Sequence, residues 1–140
     1  MKTTAIAAIA LAATFAAAIP GAVAQDAPAQ PTDADADADA RAAIDATLQG
    51  MGYAKLAVSE RYMKTHAWAH DAAAAGFEPP AGLPGHVAIA DGTITVTFDA
   101  PVSIAGKTLQ LVPSDTGDGM VHWRCDAASL PDALKPKGCV

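Results

Sequence analysis

The chain has 140 residues, a formal net charge of -6 at pH 7 and two cysteines. This length allows one small domain. The acidic balance argues against nucleic acid as a partner, because no basic stripe is present to replace the counterions around phosphates.

The first 24 residues have the pattern of a secretory signal. A single lysine, Lys2, precedes an uncharged apolar run, and the small residues Ala22 and Ala24 stand at the two recognition positions of a signal peptidase. The apolar run is about 15 residues, shorter than the ~20 that a membrane-spanning helix needs. We therefore predict a cleaved signal peptide over residues 1–24, a mature chain without a membrane span, and a periplasmic or secreted location. An uncleaved membrane tether is the alternative.

Residues 25–40 combine five aspartates and two prolines with no large apolar side chain. Such a segment buries too little apolar surface to offset the entropy lost on ordering, so we predict a disordered linker. Asp37 and Asp39 would then favour the start of a following helix, because carboxylates are stabilised at its positive end.

Residues 41–66 are predicted to form one amphipathic helix, which opens a domain over residues 41–140. On a 3.6-residue period, one face of this helix carries Ile44, Leu48, Met51, Val58 and Tyr62. Gly50 and Gly52 each cost roughly 1 kcal/mol relative to alanine, so the helix needs tertiary packing. Glycines and prolines between residues 76 and 85 indicate an irregular connection.

After residue 85 the apolar period changes to two. The predicted strands are 86–90, 93–98, 107–112 and 120–126, with Asp91 and Gly92 as a two-residue hairpin turn. Together with the helix they predict an α+β fold, in which one amphipathic helix packs on a four-stranded antiparallel sheet. Trp123 shares strand parity with Val121 and Cys125, so we predict that it is a core anchor facing the helix.

The candidate chemical sites are weak. His66 and His70 have the four-residue spacing that places two imidazoles on one helical face, but no third metal ligand accompanies them. Asp115 and Asp118 fit a turn better than a calcium loop. No motif supplies a nucleophile together with its base. We predict no metal, no cofactor and no enzymatic activity.

Cys125 and Cys139 are an even pair in a chain with an export signal, which predicts a disulfide. The bond would close a loop of roughly 15 residues and stabilise the fold by ~3 kcal/mol. Such a loop is either a staple for a small core or a surface held for recognition, and the two roles are compatible.

Several segments, in this order, resemble the C-terminal globular domain of type IV pilins. They are residues 54–60, 91–98 and 104–109, the Trp123-Arg124-Cys125 group and the final Pro136-Lys137-Gly138-Cys139. The resemblance covers roughly residues 41–140 and implies the pilin fold with a loop bounded by Cys125 and Cys139. Pilins also carry an apolar half-helix that anchors and polymerises, whereas residues 25–40 here are rich in aspartate.

We therefore expect a soluble, monomeric pilin-like protein that lacks the assembly helix and does not form filaments alone. The resemblance implies protein–protein recognition in type IV pilus (fimbrium) biology or cell adhesion, with pilus subunits or assembly components as partners. Two alternatives are open: a periplasmic small-ligand or metal-binding module on the same scaffold, and a membrane-tethered pilin-like subunit.

Overall fold

A long N-terminal helix lies across a sheet in the computed structural model, which describes residues 32–140. The helices are α1 (Asp33–Thr65) and α2 (Ala72–Ala75), and the strands are β1 (Gly85–Ala90), β2 (Thr93–Phe98), β3 (Thr108–Asp115) and β4 (Val121–Asp126), followed by a 3-10 turn at Asp132–Leu134. The predicted signal peptide and residues 25–31 lie outside the described residues. Within residues 32–140, no helix has an apolar stretch long enough to cross a bilayer.

Helix α1 begins at Asp33, not at residue 41, so residues 33–40 are helical and the prediction that they form a linker is wrong. Thr32 is the N-cap, and its side chain and the Asp35 side chain form a reciprocal capping box. The hydrogen bonds from Thr32 lower the pKa of Asp35. The alternating alanines are strong helix formers, and Ala40 is fully buried. The aspartates alone suggest a solvated segment, but the alanines between them favour a helix.

The sheet has the order β1-β2-β3-β4, with each neighbouring pair antiparallel. The first hairpin turns at Asp91 and Gly92, which both have positive φ, as a two-residue type I′ turn requires. A Cβ atom on Gly92 would lie 2.9 Å from the Trp68 ring, so glycine is required there for space as well.

Strand β3 extends to Asp115, three residues beyond its predicted end at residue 112. Pro113 lies opposite Trp123 of β4, but it is past the last residue of β3 that pairs with β2. Although proline has no backbone N–H, no hydrogen bond between β3 and β2 is therefore lost at this position. The turn that leads to β4 accordingly starts after Asp115.

The core lies between α1 and one face of the sheet, as the α+β prediction requires. Its fully buried large side chains are Phe98, Met51, Ile94, Ile104, Leu109, Val58 and Val96. On the predicted helix face, Ile44, Met51 and Val58 are buried, whereas Leu48 and Tyr62 are half-buried. The predicted fold class is confirmed.

Trp123 lies on the helix side of β4 and packs against this core, but it is only partly buried. The Lys55 ammonium lies 5.7 Å from its ring centroid, within the range of a cation–π contact. Phe98, rather than Trp123, is the largest side chain wholly inside the core.

Candidate partner-binding surface

The Cys125–Cys139 disulfide closes the C-terminal end of the molecule, as predicted, with the two Cα atoms 4.5 Å apart. The last residue also pairs with β4: Ala127 N–H donates to the Val140 carbonyl at 2.6 Å, and Val140 N–H donates to the Cys125 carbonyl at 3.1 Å. We call residues 125–139 the disulfide loop. Its two ends are thus fixed by backbone hydrogen bonds in addition to the covalent bond.

The disulfide loop is also anchored from the inside. Leu130 and Leu134 are buried in the core. The Ser129 hydroxyl accepts from Thr108 N–H at 2.7 Å and donates to the Thr108 carbonyl at 2.8 Å, which ties the loop to the start of β3. The loop therefore completes the core and presents a fixed outer surface.

A groove of about 270 Å³ lies between the disulfide loop and the first half of α1. We call it the loop groove; its lining includes Arg41, Ile44, Asp45, Leu134, Lys135 and Lys137. Arg41 closes one end by donating from Nη2 to the Ala133 carbonyl at 3.3 Å.

Charge in the loop groove is predominantly positive. Lys135 Nζ lies 2.7 Å from Asp132 Oδ1, and the hydrogen bond and charge of Lys135 lower the pKa of Asp132. Arg41 and Lys137 are exposed, and Asp45 is the one acidic residue in the lining. Complementary charge guides association, so this groove suits an acidic side chain of a partner.

A second groove, of about 220 Å³, lies where the end of α1 meets the β3–β4 turn. We call it the tyrosine groove; its lining is Tyr62, Met63, His66, Asp115, Gly119, Met120 and Val121. The Tyr62 hydroxyl donates to Asp115 Oδ2 at 2.7 Å, which joins the two walls. This hydrogen bond is the main cause of a lowered pKa for Asp115 and a raised pKa for Tyr62. On its other side, the Tyr62 ring stacks on Trp68 with 3.9 Å between centroids.

The two histidines considered as metal ligands do not share a helical face. Helix α1 ends at Thr65, and His66 takes a left-handed conformation as the C-cap. His70 lies beyond the helix and contacts Asp71 at 3.2 Å, whereas His66 lines the tyrosine groove. Among residues 32–140, no three His, Cys, Asp or Glu side chains are grouped to hold a metal ion.

The β3–β4 turn has the hydrogen bonds of a turn built on aspartates. Asp115 accepts from Gly117 N–H at 2.7 Å, and Asp118 accepts from Met120 N–H at 3.0 Å. Asp118 also lies 2.6 Å from His122 Nε2, and this contact is the main cause of its lowered pKa. Both carboxylates are therefore engaged within the protein.

Sequence reasoning did not find either groove. Tyr62 and Asp115 are 53 residues apart, and Arg41 and Ala133 are 92 residues apart. Neither pair forms a local motif, so only the packing of α1 along the sheet brings their side chains together. The one feature of the sequence that pointed toward the tyrosine groove was Tyr62, a tyrosine at the end of the apolar helix face.

The fold and both grooves fall within a single family match. Residues 40–140 match the family model for pilin, a bacterial filament protein. The match includes most of α1, all four strands and the disulfide loop. No curated protein matches the chain.

Proposed function

Because the chain belongs to the pilin family of bacterial filament proteins, we propose that it is an exported, pilus-subunit-like protein that binds other proteins of a type IV pilus. In this proposal it is periplasmic or secreted after signal cleavage at residue 24, and it acts by recognition rather than by catalysis. Membership of a filament family supports contact with other pilin subunits.

The disulfide loop is the observation that carries this proposal. A surface binds with less entropic cost when it is already ordered. Here the disulfide, the Ser129–Thr108 hydrogen bonds and the Arg41–Ala133 hydrogen bond all hold the loop in place. The loop groove beside it combines apolar Ile44 and Leu134 with exposed cations. We assign the partner contact to this surface.

The acidic start of α1 supports a role beside the filament rather than inside its apolar bundle. The first two turns carry Asp33, Asp35, Asp37 and Asp39. Burying an unpaired carboxylate costs several kcal/mol, and alanines of the same turns offer little apolar area in return. We propose that the purified mature chain is monomeric and does not form filaments, which electron microscopy of concentrated protein would test.

A photo-cross-linking experiment in the native envelope tests the assigned surface. A photoreactive amino acid replaces Lys137 at the loop groove and, as the control, Lys64 near the end of α1, far from the disulfide loop; both lysines are exposed. We expect the probe at Lys137 to capture a pilus subunit or assembly component and the probe at Lys64 to capture none. Equal adducts from both positions, or none from either, would contradict the proposal.

Reversing the charge of a lysine then tests whether the partner contact depends on the positive charge of the loop groove. Lys137→Glu should weaken capture by a photoreactive residue at a neighbouring position of the disulfide loop, whereas Lys64→Glu should leave capture unchanged. Because exposed charges are screened by salt, the wild-type cross-link should also decrease as ionic strength rises. Insensitivity to both changes would show that the basic character of the groove is not used.

A further inference from the structure

The methionines of the described chain are distributed unevenly. Within residues 32–140 there are three, and Met51 is 1% exposed in the core. Met63 is 62% exposed and Met120 is 63% exposed, and both line the tyrosine groove. The two solvent-accessible thioethers therefore line one concave site, although they belong to different segments, the end of α1 and the β3–β4 turn.

His66 adds an imidazole to the same groove. Thioether sulfur is a soft ligand that selects Cu(I), and imidazole also suits copper. The hard donor of the groove, Asp115, already accepts from Tyr62 and from Gly117. Both cysteines are in the disulfide, so no thiolate competes for a soft metal. We propose that the tyrosine groove binds Cu(I) through Met63, Met120 and His66.

The scaffold around the three ligands favours their convergence. The Tyr62–Asp115 hydrogen bond holds the end of α1 against the end of β3, and the Tyr62 and His66 rings have centroids 6.2 Å apart. Gly119, with φ of 80°, turns the chain just before Met120. Methionine has three rotatable side-chain bonds, so both sulfurs can adjust to one ion without moving the backbone.

This ligand set distinguishes Cu(I) from Zn(II). Structural zinc takes four ligands from thiolates, imidazoles and carboxylates, and the groove offers one free imidazole. The proposal goes beyond partner binding, since it concerns the opposite end of α1 and a metal rather than a protein. It also revises the choice of histidines, because His66 is retained and His70 lies outside the groove.

Anaerobic titration with Cu(I) against bicinchoninate, a chromophoric Cu(I) chelator, tests the site on the full chain. We expect the protein to withdraw one equivalent of Cu(I) from the chelator and to leave Zn(II) unbound in a parallel titration. Mutating a residue that hydrogen-bonds to a metal ligand, but does not itself bind the metal, typically lowers the metal affinity by about 10- to 100-fold. Removing two direct ligands in M63L/M120L should therefore weaken binding by more than about 100-fold, and His66→Gln should also weaken it.

His70→Gln is the matched control and should bind as the wild type does, because His70 is exposed outside the groove. Circular dichroism shows whether each variant is folded. If the double variant is unfolded, Met120→Leu alone, which changes only the exposed turn, tests whether Met120 binds Cu(I). Wild-type affinity in M63L/M120L and in Met120→Leu would overturn the proposal. So would failure to compete with the chelator, a preference for Zn(II), or loss of binding in His70→Gln.

Discussion

Removing the disulfide should measure how much of the stability comes from constraint of the unfolded chain. The variant C125S/C139S leaves no free thiol and opens a loop whose ends are 14 residues apart in sequence. Chain entropy values a closed loop of this size at about 3 kcal/mol. For a domain of this size that loss corresponds to a decrease in Tm on the order of 10–20 °C.

The structure indicates that the cost should stay close to this entropic value. The Ser129–Thr108 and Ala127–Val140 hydrogen bonds do not depend on the disulfide, and Leu130 and Leu134 remain buried. The native loop should therefore stay docked in the variant. Its surface, including the loop groove, should keep its shape even though the free energy of unfolding falls.

Urea unfolding followed by circular dichroism gives the free energy, and reduced wild-type protein is the control. Mass analysis without and with reductant should also differ by the two hydrogens of one disulfide. A loss below about 1 kcal/mol would refute the entropic argument, because a closed loop of this size must restrict the unfolded chain. A variant that is unfolded in water would refute the second step, since the loop would then not dock without its covalent bond.

Three further changes address single contacts, each measured as a change in the free energy of unfolding. Trp123→Ala should cost about 2–3 kcal/mol, less than a fully buried aromatic side chain would, because the ring is only partly buried. This cost includes the loss of the Lys55 contact, and a folded variant of unchanged stability would contradict the place of Trp123 in the core. Tyr62→Phe should weaken one pH dependence of stability and remove another. The lowered pKa of Asp115 gives a contribution present above 3.8 and lost as pH falls through the folded value, and in the variant Gly117 N–H would still lower this pKa. The raised pKa of Tyr62 gives a contribution present below 10.0 and lost as pH rises through the folded value, and the variant lacks it. An unchanged pH profile in the variant would argue against this hydrogen bond. Thr32→Ala should cost about 0.5–2 kcal/mol as a lost N-cap, and no loss would indicate that α1 starts later than Asp33.

Local pattern was sufficient for strand β2 and for the first hairpin turn, but not for the end of β3. Strand β2 has the predicted bounds, because isoleucine, valine and phenylalanine alternate with threonine and leave one face that can be buried. The turn at Asp91 and Gly92 follows from their tolerance of positive φ, a property of the two residues themselves. Both features depend only on neighbours in the chain, so no tertiary knowledge was needed.

The start of α1 depended on more than composition. Aspartates suggested a solvated linker, but the Thr32–Asp35 capping box and the alanines between the charges favour a helix. Tertiary contacts add to this preference: Ala40 is buried, and the Ser103 hydroxyl lies 3.5 Å from the Ala36 carbonyl. These contacts join segments far apart in the sequence, and a scan along the chain cannot reveal them.

The disulfide was predictable because only two cysteines exist, so only one pairing is possible. The two grooves, in contrast, could not be predicted from residue types alone. Each forms where α1 meets a segment far along the chain, and the residues that line it are unremarkable in isolation. Met63 and Met120 become candidate ligands only because the β3–β4 turn lies beside the end of α1.

Helix α1 keeps the two proposed sites apart, and this separation makes their functions independent. The loop groove uses α1 at Asp45 and the tyrosine groove uses it from Tyr62, a distance of about 25 Å at 1.5 Å per residue. A partner bound at the disulfide loop need not cover the methionines, and an ion at the methionines cannot contact the loop. Cross-linking from Lys137 should therefore be the same with or without Cu(I), and M63L/M120L should leave it intact. If Cu(I) did change the cross-link, the effect would have to pass through helix α1 or strand β4, which both reach the two sites, since no residue lines both grooves.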